Sequence, residues 1–420
     1  MNDAARQYKS SVAIIGALFF IFGFVTWLNG PLITFVKLAF ALDTDAKAFW
    51  VTTAFYMAYF FLALPASWIL ERTGLKKGMA LGLLVMAGGT FLFGLAATAR
   101  HYVPALAGLF IVGSGLSLLQ TASNPYISIV GPIESAAQRI SIMGICNKLA
   151  GILSPIVFSA FVLKDVGKLE EAVNAAATPA VREGILDAFA AAVYAPYMAM
   201  AILLVLLAVW IARSPLPELR VAEANAEAGG AAAGKQNIFQ FPFLLLGALC
   251  LFLYVGAEVM AGDAIGTYGK GFHLPTDETK YFTSYTLVAM LAGYVVGLAA
   301  IPRFLSQSLA LKGSAVLGVL FTLAAFFTKG YLSVACVAAL GLANALMWPA
   351  IWPLAIEGLG RFTERGSALL IMGIAGGAVL PRLFAELKES YDFQLVFCAI
   401  MLPCYLFIWF YAQKGWRIGR

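Results

Sequence analysis

The first apolar run of this chain decides its fold and reads SVAIIGALFFIFGFVTWLNGPLITFVKLAF from Ser11 to Phe40. Lys37 is the one charged residue in it. About 20 predominantly apolar residues suffice for a helix to cross the hydrocarbon of a bilayer. Arg6 and Lys9 precede the run as they would in a signal peptide, but no small-residue cleavage site follows. We therefore expect a first membrane helix that is retained.

The rest of the 420 residues has the same apolar character. Hydrophobic residues make up 61% of the chain and charged residues 12%, and the mean hydropathy is +0.86. Soluble domains carry about 25% charged residues, so this composition excludes an ordinary soluble enzyme, a disordered chain and a nucleic-acid-binding protein. The apolar stretches are continuous rather than alternating, which excludes a β-barrel. The five cysteines lie inside them without ligand spacing, so we expect no disulfide and no metal site.

Apolar windows bounded by charges predict twelve transmembrane helices in two sets of six. The first set is Ser11 to Leu38, Phe49 to Leu70, Gly78 to Ala97, Val103 to Val130, Ile140 to Val162 and Ala190 to Ala212. The second set is Phe241 to Tyr268, Tyr281 to Ile301, Ser308 to Thr328, Leu332 to Ile356, Ser367 to Phe384 and Phe393 to Ala412. We accordingly divide the chain into an N-terminal bundle (1–212), a linker (213–237) and a C-terminal bundle (238–420).

The basic residues predict the orientation, because cytoplasmic loops retain Lys and Arg. With the N-terminus inside, the larger share of Lys and Arg falls on the inner side. We therefore expect a multi-pass protein of a bacterial inner membrane, with both termini and the linker in the cytoplasm. The net charge of +6 is then mainly a topology signal and indicates no nucleic-acid partner. We expect a monomer surrounded by membrane lipid.

An internal repeat relates the two halves. GLSLLQTASNP at 115–125 resembles GLANALMWP at 341–349, and in both an amide side chain precedes a proline by five residues. One helix later IMGI recurs, at 142–145 and at 371–374. These matches predict an all-α integral membrane fold of two six-helix bundles related as parallel repeats. This arrangement resembles the major facilitator architecture, which implies a substrate site near the midplane between the bundles.

The loop after the second span makes a resemblance specific. It reads PASWILERTGLKK at 65–77 and resembles the G-x-x-x-D-R-x-G-R-K signature of the major facilitator superfamily, with Glu71 in place of the Asp. The resemblance implies that Glu71, Arg72 and Lys76 are gating residues. They would supply an ion pair and helix-end contacts that hold the cytoplasmic side shut in one state.

Segments 19–31, 119–126, 254–258 and 366–377, together with Asn147, resemble the fucose:proton symporter family. The sequence EVMAGDAIG at 258–266 is similar to the glucose/galactose and N-acetylglucosamine branch of that family. The resemblance spans essentially the whole chain and implies import of a monosaccharide by cation-coupled symport with alternating access. Fucose-type members carry an acid directly after the first-span asparagine and another before Thr-Ala-x-Asn-Pro. This chain has Gly30 and Gln120 there, so either the coupling residues lie elsewhere or the cation differs.

Three charged residues lie deep within predicted spans: Lys148, Glu258 and Asp263. An ionisable group at the bilayer centre costs at least ~2.5 kcal/mol, so its presence indicates function by default. We expect Glu258 to be the main coupling site, with Asp263 towards the outer mouth and Lys148 as the charge partner. The alternative is a fixed structural ion pair between the bundles. We favour H+ over Na+ because Glu258 is a single titratable site without an evident oxygen cage, and we expect no further cofactor.

A neutral sugar needs amides for its hydroxyls and aromatic faces for its C–H surfaces, inside a mostly apolar cavity. Gln120 and Asn124 share one helical face, and Asn344, Trp348 and Trp352 form another stripe. The expected substrate-binding residues are Asn29, Gln120, Asn124, Asn147, Tyr254, Asn344, Trp348 and Trp352. Each amide has an alternative role as an interhelical hydrogen bond, and each tryptophan as a core or lipid-facing residue.

Other functions remain alternatives at this point: an uncoupled sugar facilitator, or an exporter of another small polar solute. A membrane-embedded enzyme is disfavoured, because the sequence has no Ser/His/Asp set and no phosphate loop, and its two histidines, His101 and His273, are both predicted outside. The outer segment 164–187 is predicted to form a short surface helix. Arg382 is expected to pair with Glu386 one turn on.

Overall fold

The structure is a computed structural model, and it describes residues 3–129, 136–218, 237–300 and 306–419. Over those ranges the regular elements are α-helices and short 3-10 helices, with no strand. Twelve helices there are long and apolar enough to cross a membrane. The predicted all-α membrane fold with twelve spans is thus confirmed, and the chain is a multi-pass membrane protein.

The helices follow one another along the chain with short connections. The first half contains α1 (Asp3–Trp27), α2 (Asn29–Ala39), α3 (Asp45–Ala48), α4 (Trp50–Thr73), α5 (Leu75–Thr98), α6 (Tyr102–Ile129), α7 (Ala136–Phe161), α8 (Val166–Asn174), α9 (Pro179–Ala191) and α10 (Tyr194–Arg213). The second half contains α11 (Pro242–Gly262), α12 (Ile265–Lys270), α13 (Thr276–Thr279), α14 (Phe282–Ala300), α15 (Gln307–Phe327), α16 (Gly330–Asn344), α17 (Met347–Ile356), α18 (Thr363–Met372), α19 (Gly376–Leu387) and α20 (Phe393–Gln413).

The two ends of the helical bundle are named by the loops they carry. The linker side carries Gly74 and Ser214, and the opposite side carries Asp45 and Asp277. Most of the predicted linker, residues 219–236, lies outside the described residues, as do the predicted ends of the fourth span at Val130 and of the eighth at Ile301. The division of the chain at the linker therefore stays a prediction.

Two predicted spans are interrupted next to prolines. The first is divided at Leu28 into α1 and α2, because Pro31 has no N–H to donate to the carbonyl of Trp27 and its ring crowds that oxygen. The tenth is divided into α16 and α17, and Pro349 stands in the same relation to the carbonyl of Ala345. Continuous helices were expected at both places, and that expectation was wrong.

The seventh predicted span is interrupted without a proline. Helix α11 ends at Gly262 and α12 begins at Ile265, so Asp263 lies in the break. The carbonyl of Val259 accepts hydrogen bonds from the backbone N–H of both Asp263 (2.7 Å) and Ala264 (3.2 Å). The second bond spans five residues, so the regular α-helical ladder ends in a wider, π-type turn at a buried carboxylate.

The segment 164–187 forms two helices, α8 and α9, and the expectation of one short helix was wrong. Pro179 occupies the first turn of α9, where its missing N–H costs nothing. The side chain of Thr178 caps the same helix by accepting a hydrogen bond from the N–H of Val181. A proline and a cap together therefore start a new helix within the segment.

The two halves meet on the opposite side through charged groups. Asp45 of α3 forms ion pairs with Lys37 of its own half (2.5 Å) and with Lys388 of the other half. Glu389 accepts a hydrogen bond from the backbone N–H of Ala46 at 3.3 Å. These contacts hold α3 against the end of α19.

A second group of contacts joins α8 to the second half on the same side. The carboxylate of Glu170 accepts a hydrogen bond from the hydroxyl of Thr276 at 2.9 Å. The N–H of Gly167 donates to the carboxylate of Asp277 at 3.2 Å. With the contacts of α3, these bonds show that the halves are closed against each other on the opposite side.

Candidate functional site

A central cleft lies between the two halves. Its walls come from α1, α4, α6 and α7 of the first half and from α11, α14 and α17 of the second. The empty volume is about 810 Å³, which includes space open to solvent. The predicted site residues that line the cleft are Gln120, Asn124, Asn147, Lys148, Tyr254, Glu258 and Trp348.

The lining amides are held by aromatic neighbours. Gln120 donates a hydrogen bond from Nε2 to the hydroxyl of Tyr59 at 3.0 Å. Asn147 accepts one at Oδ1 from the indole N–H of Trp27 at 3.4 Å, and its Nδ2 lies 3.5 Å from the carbonyl of Phe19. Each amide is therefore oriented by helices of its own half before any ligand is present.

Two predicted amides lie away from the central cleft. Asn344 is fully buried, and its Oδ1 accepts a hydrogen bond from the hydroxyl of Tyr405 in α20 at 3.0 Å. Asn29 faces a separate small cavity inside the first half, which Thr90 also lines. Both are placed as interhelical polar contacts, so their substrate-binding roles stay predictions that this geometry does not favour.

An aromatic wall forms one side of the cleft. The ring of Trp348 stacks on that of Trp352 at 5.5 Å between centroids and an angle of 21°. The ring of Tyr254 lies 6.5 Å from Trp348. Trp352 is buried behind Trp348 and does not line the cleft. Trp348 thus presents the aromatic surface, and Trp352 supports it.

An ion pair bridges the halves in the wall of the cleft. Lys148 of α7 and Glu258 of α11 approach to 2.9 Å, Nζ to Oε1, and their side chains are 7% and 11% exposed. The ring centroid of Trp27 lies 4.5 Å from the same Nζ, a favourable position for a cation. Because the pair is neutral as a whole, it leaves no net charge facing a ligand. Its role in coupling stays a prediction.

The sequence matches the Major Facilitator Superfamily over residues 15–381. The chain belongs to the Major Facilitator Superfamily. A curated relative, the glucose/galactose transporter of Brucella abortus (biovar 1, strain 9-941), is 31% identical over 420 residues, which cover 99% of this chain and 96% of the relative. The L-fucose-proton symporter of Escherichia coli (strain K12) is 26% identical over 390 residues, covering 92% and 88% of the two chains.

A crystal structure has the same fold. A single-substitution variant of the E. coli fucose:proton symporter gives a TM-score of 0.75 at 23% sequence identity, covering 97% of this chain and 99% of the other. The expected major facilitator fold is thus confirmed, and the protein is a transporter rather than an enzyme.

The predicted gating loop of this superfamily member contacts its own half. Lys76 donates a hydrogen bond from Nζ to the carbonyl of Ser214 at 2.8 Å, and its backbone N–H donates to the carboxylate of Glu218 at 3.1 Å. Gly74 has φ +78°, and a Cβ there would lie 2.1 Å from Oε1 of Glu218. The left-handed φ favours glycine at this helix end, whereas the exposed Glu218 side chain could move aside for a Cβ.

The other two gating candidates are exposed on the linker side. The guanidinium of Arg72 lies 3.7 Å from the ring centroid of Trp68, and the side chain of Glu71 faces outward. Residues 130–135 and 301–305 lie outside the described residues. A gating role for Glu71, Arg72 and Lys76 stays a prediction.

Sequence reasoning missed several residues of the transporter's cleft. They are Trp27, Tyr56, Tyr59 and Tyr294, each aromatic with a polar atom. A signal was available for two of them, because Tyr56 and Tyr59 stand three apart in an otherwise apolar span and so share a helical face. Amides and charged groups were predicted as the polar residues of the site, whereas polar groups on otherwise apolar aromatic rings were not.

Asp263 lies away from the cleft lining, at the contact between the halves. It occupies the break between α11 and α12, faces α2 and α4, and is 2% exposed. Asp263 was expected towards the outer mouth, and its role in coupling stays a prediction.

Proposed function

We propose that this transporter imports a neutral monosaccharide of the glucose, galactose or N-acetylglucosamine type by cation-coupled symport. The observation that carries the proposal is the central cleft, which combines oriented amides, an aromatic wall and a neutral ion pair. Gln120 and Asn147 supply donors and acceptors for sugar hydroxyls, and Trp348 supplies a face for C–H surfaces. The names of the curated relatives support the same substrate class.

Coupling to a cation is the second part of the proposal. Three ionisable groups are buried between the halves: Lys148, Glu258 and Asp263. Burial of each group costs free energy, and a passive pore would not need them. We favour the proton over sodium, because single carboxylates can take up a proton without a cage of oxygen ligands. Alternating access then moves the sugar and the proton together.

The setting of the transporter follows from the same reasoning. We place it in a bacterial inner membrane, with both termini and the linker in the cytoplasm, because Lys and Arg are more frequent on that side. The linker side is then the cytoplasmic side, and the opposite side faces outward. The monomer is the functional unit, since one chain supplies every wall of the cleft.

Counterflow in proteoliposomes tests the substrate class. Labelled glucose, galactose, fucose and N-acetylglucosamine are each exchanged against unlabelled sugar, with no gradient, a pH gradient or a sodium gradient. We expect at least one of glucose, galactose and N-acetylglucosamine to exchange. Accumulation of that sugar should require the pH gradient. Transport of none of the four would overturn the sugar proposal, and accumulation driven by sodium alone would overturn the choice of proton.

A further inference from the structure

Asp263 is a buried carboxylate with incomplete partners. Its Oδ2 lies 3.4 Å from the hydroxyl of Tyr56, a long hydrogen bond, and Oδ1 has no hydrogen-bond partner among the described residues. The residue is 2% exposed. Buried polar atoms are satisfied in the great majority of cases, so an unpaired carboxylate oxygen needs an explanation.

Among the residues that the structure describes, none supplies a free counter-charge to Asp263. Facing it from the packed elements are Asn29 and Gly30 of α2, Tyr56 of α4, Lys148 of α7, Glu258 of α11 and Thr283 of α14. Lys148 is the one cation in this set, and its Nζ is bound to Glu258. The hydroxyl of Thr283 is also engaged, because it donates to the carbonyl of Gly262 at 2.8 Å.

The two buried acids, Glu258 in α11 and Asp263 just after it, therefore differ in their partners. Glu258 has a cation at 2.9 Å, which compensates for its burial. Asp263 has only the Tyr56 hydroxyl and the backbone of Gly30 beside it, so its burial as a carboxylate is not compensated by a cation of its own. The closed arrangement is compatible with a proton on Asp263.

Opening of the opposite side would change this environment. Asp263 belongs to the second half, whereas Gly30 and Tyr56 belong to the first, so separation of the halves exposes the carboxyl to water. Gly30 allows the close approach, since a Cβ there would lie 2.4 Å from Oγ1 of Thr283 and 3.3 Å from Oδ1 of Asp263. Closure thus removes water from the acid and supplies no charge in exchange.

We propose that Asp263, rather than Glu258, binds the transported proton, and that its protonation is what allows the opposite side to close. The proposal rests on the proton-coupled symport proposed above. In the open state the carboxylate takes a proton from water, and the neutral acid is then buried against α2 and α4. The closed state binds the proton more tightly than the open state, so by linkage a lower pH favours closure.

Tyr56 gives the proton a way out towards the linker side. It touches Asp263 and also lines the central cleft. When that side opens, the O–H bond of Asp263 breaks as the oxygen of Tyr56 accepts the proton, and the hydrogen of Tyr56 passes to water in the cleft. Asp263 is left as a carboxylate, which favours reopening of the opposite side.

A distance measurement without sugar tests this proposal. Spin labels are attached at Val103→Cys and Leu332→Cys, two exposed positions on the opposite side of the two halves, in a background with Cys146 and Cys336 replaced by serine. With the Asp263 carboxyl intact, we expect the short-distance population to grow as the pH is lowered. Asp263→Asn, which resembles the protonated acid, should keep the short distance at every pH.

Control variants make the outcome specific. Asp43→Asn removes an exposed carboxylate whose partner, Lys47, lies in the same half, and it should keep the pH response. Asp263→Glu keeps a titratable group and should move the midpoint, which preserves the test if the asparagine variant fails to fold. A pH response that persists in Asp263→Asn, an unchanged midpoint in Asp263→Glu, or no response with Asp263 intact would overturn the proposal.

Transport separates this proposal from the proposed function. In proteoliposomes, sugar uptake by Asp263→Asn in a pH gradient should be no greater than its counterflow, so the ratio of the two should fall to one. In Glu258→Gln, the spin-label distance should still respond to pH. If no sugar is transported, the symport proposal fails while the distance measurement still decides the role of Asp263. Undiminished pH-driven accumulation in Asp263→Asn would overturn the role of this residue alone.

Discussion

At the scale of single residues, the cleft separates side chains that the sequence could not distinguish. Gln120 and Asn344 hold corresponding positions in the internal repeat, and both were expected to bind substrate. Gln120 lines the cleft, whereas Asn344 is bonded to Tyr405 inside the second half. The spacing fixes which residues share a face, but the rotation of that face depends on packing and on the nearby helix break.

Replacement of these two amides should therefore have different effects. Gln120→Ala removes a hydrogen-bonding group from the cleft, and a loss of about 1.5 kcal/mol corresponds to a roughly tenfold higher KM for sugar. Asn344→Ala should lower the free energy of unfolding by about 1 kcal/mol, because the hydrogen bond to Tyr405 is lost, and it should have a smaller effect on KM. Concentration-dependent counterflow and thermal unfolding of both variants check this. Equal effects on KM would contradict the separation.

The Lys148–Glu258 pair gives a prediction about stability. Lys148→Ala leaves Glu258 buried without its cation and should cost about 3–5 kcal/mol. The double variant Lys148→Met with Glu258→Gln removes both charges and should recover most of that loss. Thermal unfolding in detergent measures both.

An exposed ion pair provides the control for this measurement. Glu386→Gln breaks the expected pair with Arg382, which the structure contains at 2.9 Å with side chains 25% and 60% exposed. It should cost at most about 1 kcal/mol. If the Lys148→Met, Glu258→Gln double variant were as unstable as Lys148→Ala, an unpaired buried charge would not be the cause of the lost stability.

At the scale of elements, the lengths of the apolar runs predicted the twelve spans. The helix breaks within some of these spans were not predicted from the sequence. Near Pro31 and Pro349, spans that were predicted as continuous are each divided into two helices. The break at Asp263 carries no proline, and it arises where α11 meets α2 and α4 of the other half. Such long-range packing leaves no periodic signal in the local sequence.

The contact of α3 with the end of α19 predicts an effect on opening. Asp45→Asn leaves Lys37 and Lys388 close together without the carboxylate between them, so the closed state should lose about 1 kcal/mol. That loss corresponds to roughly a fivefold shift towards the open opposite side. The spin-label distance between positions 103 and 332 should lengthen, and in the Asp43→Asn control it should not. An unchanged distance in Asp45→Asn would rule out this contact as a closing element.

At the scale of the whole molecule, several charged groups lie where the halves meet. The opposite side is closed by Asp45, Glu170 and their partners, the cleft wall carries the Lys148–Glu258 pair, and Asp263 lies at the contact between the halves. Motion of one half against the other must break or re-form these contacts. A cation and a sugar that act on them can therefore bias the same movement, which is the physical basis of symport.

Sugar-induced proton uptake tests the account most directly. The purified transporter is reconstituted into liposomes that contain a pH-sensitive dye, and unlabelled sugar is added outside without any imposed gradient. The account predicts acidification of the lumen when a transported sugar is added, and none in Asp263→Asn. Sugar entry without acidification in the presence of intact Asp263 would contradict proton symport.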